Sequence, residues 1–480
     1  MTGPAIVWFR QDLRLADNPA LSAAIESGRT ILPVYILDDE TPGPWAMGGA
    51  SRWWLHHSLT ALAKSLSEHG ATLILRRGPA SEVLEKLRRE AGADVVYWNR
   101  CYEPATIVRD KAIKTQLTKA GIEAQSFNAA LLHEPWTIKT GEGGPFKVFT
   151  PFHRAIERLG APPAPLPAAR KIVSVEQLPT SDNLAGWNLP PAKPDWADGM
   201  RKAWKPGAEG ARQTLKQFLD APLGYREGHN RPDIGATSRL SPHLHWGEIS
   251  PRQVWHAIEA HRAQGKIAEG DAAAFQRQLV WREFCHHLLF YFPEMPDQPW
   301  RAAFADFPWR SNPILLKAWQ QGRTGYPIVD AGMRQLWVTG WMHNRVRMIT
   351  ASFLIKDLLQ PWQAGEAWFW DTLVDADLAQ NAANWQWVAG SGADAAPYFR
   401  IFNPVLQGEK FDPQGAYVRH WLSALKNLPD EFIHQPWRAP AELLNDAGVM
   451  LGKTYPLPVV DHKAAREAAL AAYKSIRNAG

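Results

Sequence analysis

Residues 5–130 alternate short β-rich runs with segments whose apolar residues recur every three or four positions. The runs occupy 5–9, 31–37, 72–75, 95–99 and 122–127, and the spacing predicts five strands separated by helices. Between the second and third runs, S-R-W-W-L-H-H-S-L-T-A-L-A-K-S-L-S-E-H-G reads as a helix that Ser51 caps and Gly70 ends. Five strands with intervening helices predict an α/β domain built on a doubly wound, Rossmann-like parallel sheet. No G-x-G-x-x-G follows the first run. V-W-F-R-Q-D-L-R-L-A-D-N-P stands there instead, so the usual phosphate cradle of a dinucleotide fold is missing.

The pattern changes twice further on. Residues 161–200 hold A-P-P-A-P-L-P and L-P-P-A-K-P with little periodicity, as expected of a linker running over a surface. From about 208 onward strand signals nearly vanish, and 271–291, 329–338, 342–359 and 364–374 carry apolar residues at helical period. The expected organisation is an α/β domain over 1–130, a linker over 131–205 and a larger all-α domain over 206–480.

Composition adds limits. A chain of 480 residues exceeds one ordinary core, and 45% hydrophobic with 21% charged residues is a globular balance. The net charge of +5 permits an anionic partner such as nucleic acid without deciding it. Cys101 and Cys285 stand far apart without a partner motif, which argues against a disulfide framework or a cysteine-based metal site. The N-terminal stretch lacks the apolar core of a signal peptide, and no uncharged apolar run of ~20 residues follows. A cytoplasmic protein without a membrane span is expected. The 24 tryptophans are the unusual count; most belong in the core, and exceptions must be argued by position.

Several stretches combine residue types that ordinary packing does not need. Residues 225–241, Y-R-E-G-H-N-R-P-D-I-G-A-T-S-R-L-S, place the hydroxyls of Thr237, Ser238 and Ser241 around Arg239. Hydroxyls, free N–H groups at a helix start and a guanidinium suit a diphosphate, although an ordinary Ser-capped helix reads the same way. In F-Q-R-Q-L-V-W-R (275–282) a helix puts Phe275, Gln278 and Trp281 along one face with Arg282 beside them. A glutamine on an apolar stripe needs a partner if buried, which points to a pocket. In W-M-H-N-R-V-R-M (341–348), Asn344, Arg347 and Met348 share a face and Arg345 turns to another. D-A-D (375–377) supplies two carboxylates in a similarly apolar setting; an Arg347–Asp375 pair is expected, leaving Asp377 for a ligand donor. His56-His57, His243-x-His245 and His286-His287 lack a third ligand at metal spacing, so no metal site is expected. With no G-x-S-x-G or P-loop, the chemistry belongs to a cofactor rather than a nucleophile triad. In N-A-A-N-W-Q-W (381–387) a helix sets Trp385 and Trp387 about 200° apart, so the two indoles serve different sites.

These stretches, together with T-G-Y-P-I-V-D-A-G-M-R-Q-L and N-W-Q-W-V-A-G-S-G-A-D-A-A-P-Y-F-R-I-F-N-P, resemble the photolyase/cryptochrome family, most of all bacterial cyclobutane pyrimidine dimer photolyases, from residue 5 to the C-terminus. The resemblance implies an N-terminal antenna domain and a helical domain holding FAD. Photoexcited, reduced FAD would pass an electron to a flipped-out dimer in UV-damaged DNA and recover it after ring splitting, the protein supplying binding and geometry. By motif position, Tyr225, Thr237, Ser238, Arg239, Leu240, Ser241, Phe275 and Asn344 would contact FAD. Arg347 and Asp375 would flank its isoalloxazine, Asp377 would accept from the imide side, and Asn381 would face N5. The implied lesion pocket has Trp281 and Trp387 as walls, Gln278, Asn344 and Met348 around the dimer, and Arg282 and Arg345 on DNA phosphates. Trp385, Trp362 and Trp309 match the family's electron relay. A monomer is expected.

Two departures bear on the details. Gln278 stands where the commonest bacterial dimer enzymes carry Glu and (6-4) photolyases carry Gln, whereas Asn344 and Met348 fit the dimer branch. Ala105 and Thr106 replace the Asn and Glu that hold folate in the best-known bacterial branch, and 294–297 lacks its Cys-Lys. Glu103 is retained as an antenna contact. Methenyltetrahydrofolate is the expected second chromophore, with a deazaflavin or none as alternatives. The competing function is a cryptochrome-type photoreceptor, against which stand both pocket tryptophans and the short segment after D-H-K-A-A-R.

Overall fold

The computed structural model describes residues 3–220, 224–395 and 399–478. Five strands, β1 (Ala5–Phe9), β2 (Ile31–Leu37), β3 (Ile74–Arg77), β4 (Val95–Asn99) and β5 (Glu123–Phe127), form one parallel sheet in the order β3-β2-β1-β4-β5. Ala5 sits beside Ile31 on one side and Val95 on the other, so the order reverses at β1, where such folds open a crevice beyond the strand ends. β3 starts later than the apolar run suggests, because Leu73 is buried in the core without entering the ladder.

The crevice explains the missing glycine fingerprint. It is filled by the chain's own polar side chains: Asn99 Nδ2 donates to Asp12 Oδ2 at 2.6 Å and to Asn18 Oδ1 at 2.7 Å, and Arg10 pairs with Asp110 at 2.6 Å. All four of Arg10, Asp12, Asn18 and Asn99 are buried, and hydrogen bonds link them to one another.

Helices α1 (Pro19–Glu26), α2 (Gly49–Glu68), α3 (Ala80–Ala91) and α4 (Pro104–Lys119) flank the sheet. Ser51 is not the cap of α2; it lies inside the helix and is buried. The Gly49 N–H is instead met at 2.8 Å by the carboxylate of Asp371, 322 residues away, a capping partner that local spacing cannot reveal.

The sheet is fastened to the helical part through buried polar groups. The Arg14 guanidinium, 2% exposed, donates to the carbonyls of Ala16, Asp17, Ala129 and Gly247. Burial holds its pKa down at about 10, against the pull of Asp17 and Asp12. Gly247 is required at the contact: its φ is +62° and a Cβ would lie 2.1 Å from the Gln11 carbonyl oxygen. Asp17 pairs with Arg252 at 2.8 Å, and the Trp54 indole donates to Glu248 at 2.9 Å.

Within residues 131–205, helix α5 (Phe149–Leu159) packs its Phe149, Phe152 and Ile156 against α6 (Glu269–Tyr291). The helical part continues with α7 (Pro327–Thr339), α8 (Asn344–Ser352), α9 (Trp362–Thr372) and α10 (Leu378–Ala389). In T-G-Y-P-I-V-D the buried Asp330 accepts from Thr324 N and Oγ1, each at 2.7 Å, and from Gly325 N at 3.0 Å, which makes this motif a helix start rather than a ligand site. The periodic run 342–359 is not one helix. After Ser352 the chain makes a π turn closed by Leu358 N–H to Phe353 O at 3.0 Å, and the extra residue lets Asp357 reach His462 at 2.5 Å.

Glu283, 3% exposed on α6, holds the 131–133 segment through the Leu132 and His133 N–H groups at 3.0 and 3.1 Å. Burial pushes its carboxyl up to about 7, from an ordinary 4.5, despite Arg282 nearby. The native state therefore keeps a proton that the unfolded chain releases, so this contribution to stability is full below pH 4.5 and is lost as pH rises through 7. Glu283→Gln should match the wild type near pH 5 and exceed it near pH 8, by on the order of 2–3 kcal/mol. Thermal denaturation at the two values checks this; a variant weaker at pH 8 would mean that Arg282 compensates the charge.

Candidate functional site

A cluster of charged groups forms where α8, the 373–377 loop and the short helix Ser241–His245 meet. Arg347 donates to both oxygens of Asp375, at 3.1 and 2.8 Å, as the sequence pattern anticipates. Ser241 Oγ donates to Asp375 Oδ2 at 2.6 Å and accepts from the Trp341 indole at 3.2 Å. Ser241 is thus no helix cap: the cap position belongs to Leu240, whose side chain makes no capping bond. Arg239 takes the left-handed conformation, φ +54°, and its guanidinium lies over Trp204 at 4.3 Å and Trp341 at 5.4 Å. The Thr237 and Ser238 hydroxyls line the half-buried turn just before it. Tyr225 opens a short helix and stacks on His229 at 5.0 Å, while Phe275 packs against Tyr225 and Phe218 in the core.

Asp377 begins α10, accepting from Gln380 N–H at 3.0 Å. His245 Nδ1 and His286 Nε2 lie 3.4 and 3.5 Å from its Oδ2. Burial pushes this carboxyl up, but His286, His245 and Arg282 outweigh it and hold the group well below the usual carboxylate range. The histidines set aside as metal ligands therefore surround a carboxylate. Glu103, just before α4, faces His245 and Asp377 from the sheet side; burial raises its pKa, and Gln11 contacts it at 3.4 Å.

One turn into α10, Asn381 is 7% exposed and gives its Nδ2 to the Glu366 carbonyl at 3.0 Å. Trp385 follows on the same side, 2% exposed, against Phe369 at 5.0 Å and Trp319 at 6.2 Å. Gly365 makes this possible, since a Cβ there would lie 2.1 Å from the Trp385 ring. Trp362 is buried in the same cluster and Trp309 packs half-buried at its edge. Trp387 leaves α10 in another direction; it is half-buried and donates to the Asp394 carbonyl at 3.1 Å.

Trp281 is also half-buried and lies flat on Phe149, with centroids 3.5 Å apart and planes at 3°. Gln278 is half-buried on the same helix, Asn344 is exposed and Met348 half-buried at the start of α8. Arg345 donates to Asn230, and its guanidinium lies over Phe411 at 4.5 Å. Arg282 departs from expectation: it is turned inward, donating to the Ala130 carbonyl at 2.6 Å. The residue after Trp281 on a helix points about 100° away from it, and here that direction leads to the 130–133 segment rather than to an open face.

Two contributors escaped the reading of the sequence. Phe149 left a signal, since Phe149, Phe152 and Ile156 recur at helical spacing inside the stretch read as a linker. Glu366 left one too: with Trp362, Gly365 and Phe369 it makes an i, i+3, i+4, i+7 stripe, and a carboxylate on such a stripe is anomalous. It is fully buried, neither oxygen has a partner among the described residues, and burial with Asp297 nearby pushes its pKa well above the ordinary value.

The donor set suits FAD: hydroxyls and a left-handed backbone at 237–241 for a diphosphate, and Arg347–Asp375, Asp377 and Asn381 for a heterocycle with both donors and acceptors. The class defined by this sheet and this helical site is that of FAD-dependent photolyases and cryptochromes. A family model described as DNA photolyase matches residues 5–170, and one described as FAD binding domain of DNA photolyase matches 275–475. The chain is 54% identical over 477 residues to the deoxyribodipyrimidine photo-lyase of Agrobacterium fabrum, covering 99% of this chain and 98% of that one. It is 41% identical to cryptochrome-2 of Arabidopsis thaliana, covering 100% of this chain and 80% of the other. The crystal structure of a bacterial class III photolyase from Agrobacterium tumefaciens superposes with a TM-score of 0.96 at 54% identity, over 100% of this chain and 98% of that one. The protein belongs to the DNA photolyase family, and its helical part carries the FAD-binding domain. No described helix is long and apolar enough to cross a membrane.

Proposed function

We propose that the protein is a deoxyribodipyrimidine photo-lyase that splits cyclobutane pyrimidine dimers in UV-damaged DNA under blue light. The observation that carries the proposal is helix α10, which presents Asn381 to the Glu366 carbonyl and Trp385 to the buried aromatic cluster, and Trp387 in another direction, tied through Asp394 to the Phe149–Trp281 stack. Reduced FAD, when bound, supplies light-driven electron donation. Thr237, Ser238, Ser241 and the 239–241 backbone would hold its phosphates, with Tyr225, Leu240, Phe275 and Asn344 lining the site. Arg347 with Asp375 would flank its isoalloxazine, Asp377 would accept a hydrogen bond from the N–H of its imide side, and the Asn381 amide would serve N5 whether or not that nitrogen carries a proton.

Trp281 and Trp387 bind the flipped-out dimer between apolar walls and exclude water from it. Gln278 donates to pyrimidine carbonyls, with Met348 beside it, and Arg345 meets a backbone phosphate, so affinity falls with salt. Trp309, Trp362 and Trp385 relay electrons inward. Residues 1–130 form an antenna domain, 131–205 a linker and 206–480 the catalytic domain, with methenyltetrahydrofolate as antenna beside Glu103. The protein works as a cytoplasmic monomer.

The deciding experiment is repair of a dimer-containing oligonucleotide by purified, reduced protein under blue light. Restoration of intact pyrimidines is expected. Repair of (6-4) products alone would overturn the choice of lesion and make Gln278 the deciding residue. Failure on both lesions would favour a photoreceptor.

A further inference from the structure

We infer that Asp394 sets the separation of the two lesion-pocket walls, an inference that rests on the reading of Trp281 and Trp387 as those walls. Asp394 lies in the turn after α10 with φ of +53°, a conformation that Asp, Asn and Gly adopt with least strain. The turn folds back on the helix: Gly392 N–H donates to the Gln386 carbonyl at 2.9 Å, and a Cβ on Gly392 would lie 2.8 Å from Trp387 N. Folding back brings the Asp394 carbonyl onto the Trp387 indole N–H at 3.1 Å. Its carboxylate points the other way and accepts from the N–H of Phe149, 245 residues earlier, at 3.4 Å.

Phe149 is the first residue of α5, and Val148 before it makes no side-chain cap. A carboxylate there satisfies an orphan N–H at the positive end of the helix. The Phe149 ring lies beneath Trp281 at 3.5 Å. One residue thus holds Trp387 through its backbone and Trp281 through its side chain. It acts through Trp387 and the Phe149–Trp281 stack, which makes it a positioning residue.

The test compares Asp394→Gly, which keeps the left-handed backbone and loses the carboxylate, with Asp394→Asn, which keeps both the backbone and an acceptor. Binding to dimer-containing and undamaged oligonucleotides is measured beside Trp281→Ala and Trp387→Ala controls. Asp394→Gly should lose about tenfold in preference for the dimer, with undamaged-DNA binding and the flavin absorption spectrum unchanged. Asp394→Asn should restore the preference. Glycine carries no penalty at this φ, so Asp394→Gly should accumulate like the wild type. Unchanged preference in the carboxylate-less variant, with both tryptophan controls impaired, would overturn the positioning role. Unimpaired tryptophan controls would overturn the wall assignment itself.

Discussion

Trp387→Ala should bind dimer-containing DNA about a hundredfold more weakly than wild type while its affinity for undamaged DNA stays nearly constant. Stacking of a base on an aromatic ring contributes roughly 1–3 kcal/mol, and a dimer presents two fused bases to this half-buried wall. Trp387 makes one hydrogen bond, to the turn after α10, and is not needed to close the core. The variant should therefore fold, bind FAD and show the wild-type visible spectrum. Fluorescence anisotropy with matched damaged and undamaged oligonucleotides measures the ratio. Equal weakening on both would assign Trp387 to backbone binding, and no weakening would remove it from the pocket.

Trp385→Phe should slow light-driven reduction of the oxidised flavin by more than about tenfold, while enzyme reduced beforehand still repairs dimers at near the wild-type rate. The reason is a separation of place. Trp385 is buried beside Phe369 and Trp319 on the Asn381 side of α10, away from Trp387. Phe fills most of the cavity, but its ring is far harder to oxidise than an indole, so the substitution removes an electron donor with little change in packing. Photoreduction followed by absorbance, together with single-turnover repair by dithionite-reduced protein, reads the two functions separately. Loss of both in proportion would show that one indole serves both ends of the reaction.

Much of this arrangement is legible in the amino-acid sequence. Strand runs at 5–9, 31–37 and 95–99 coincide with β1, β2 and β4, because a parallel sheet buried on both faces writes its strands as continuous apolar runs. The Arg347–Asp375 pair followed from charges stranded in apolar helices, and the divergence of Trp385 from Trp387 followed from helical pitch alone. Glu366 could have been found by the same rule that found Gln278, a polar residue on an apolar stripe. Ser51 was misjudged because a serine ahead of an apolar periodic run is a plausible local cap, whereas the helix starts at Gly49 and is met by Asp371, 322 residues away.

Local periodicity determined that this protein has a parallel sheet followed by helices, and which charged residues could not remain unpaired. Only the tertiary structure decided that Asp371 caps α2, that Arg282 turns to the Ala130 carbonyl, and that Phe149 underlies Trp281. Those contacts join segments separated by well over a hundred residues. Their sequence spacing carries no trace of them, because proximity there is set by how whole helices pack against the sheet and one another, and not by the dihedral repeat of any single element.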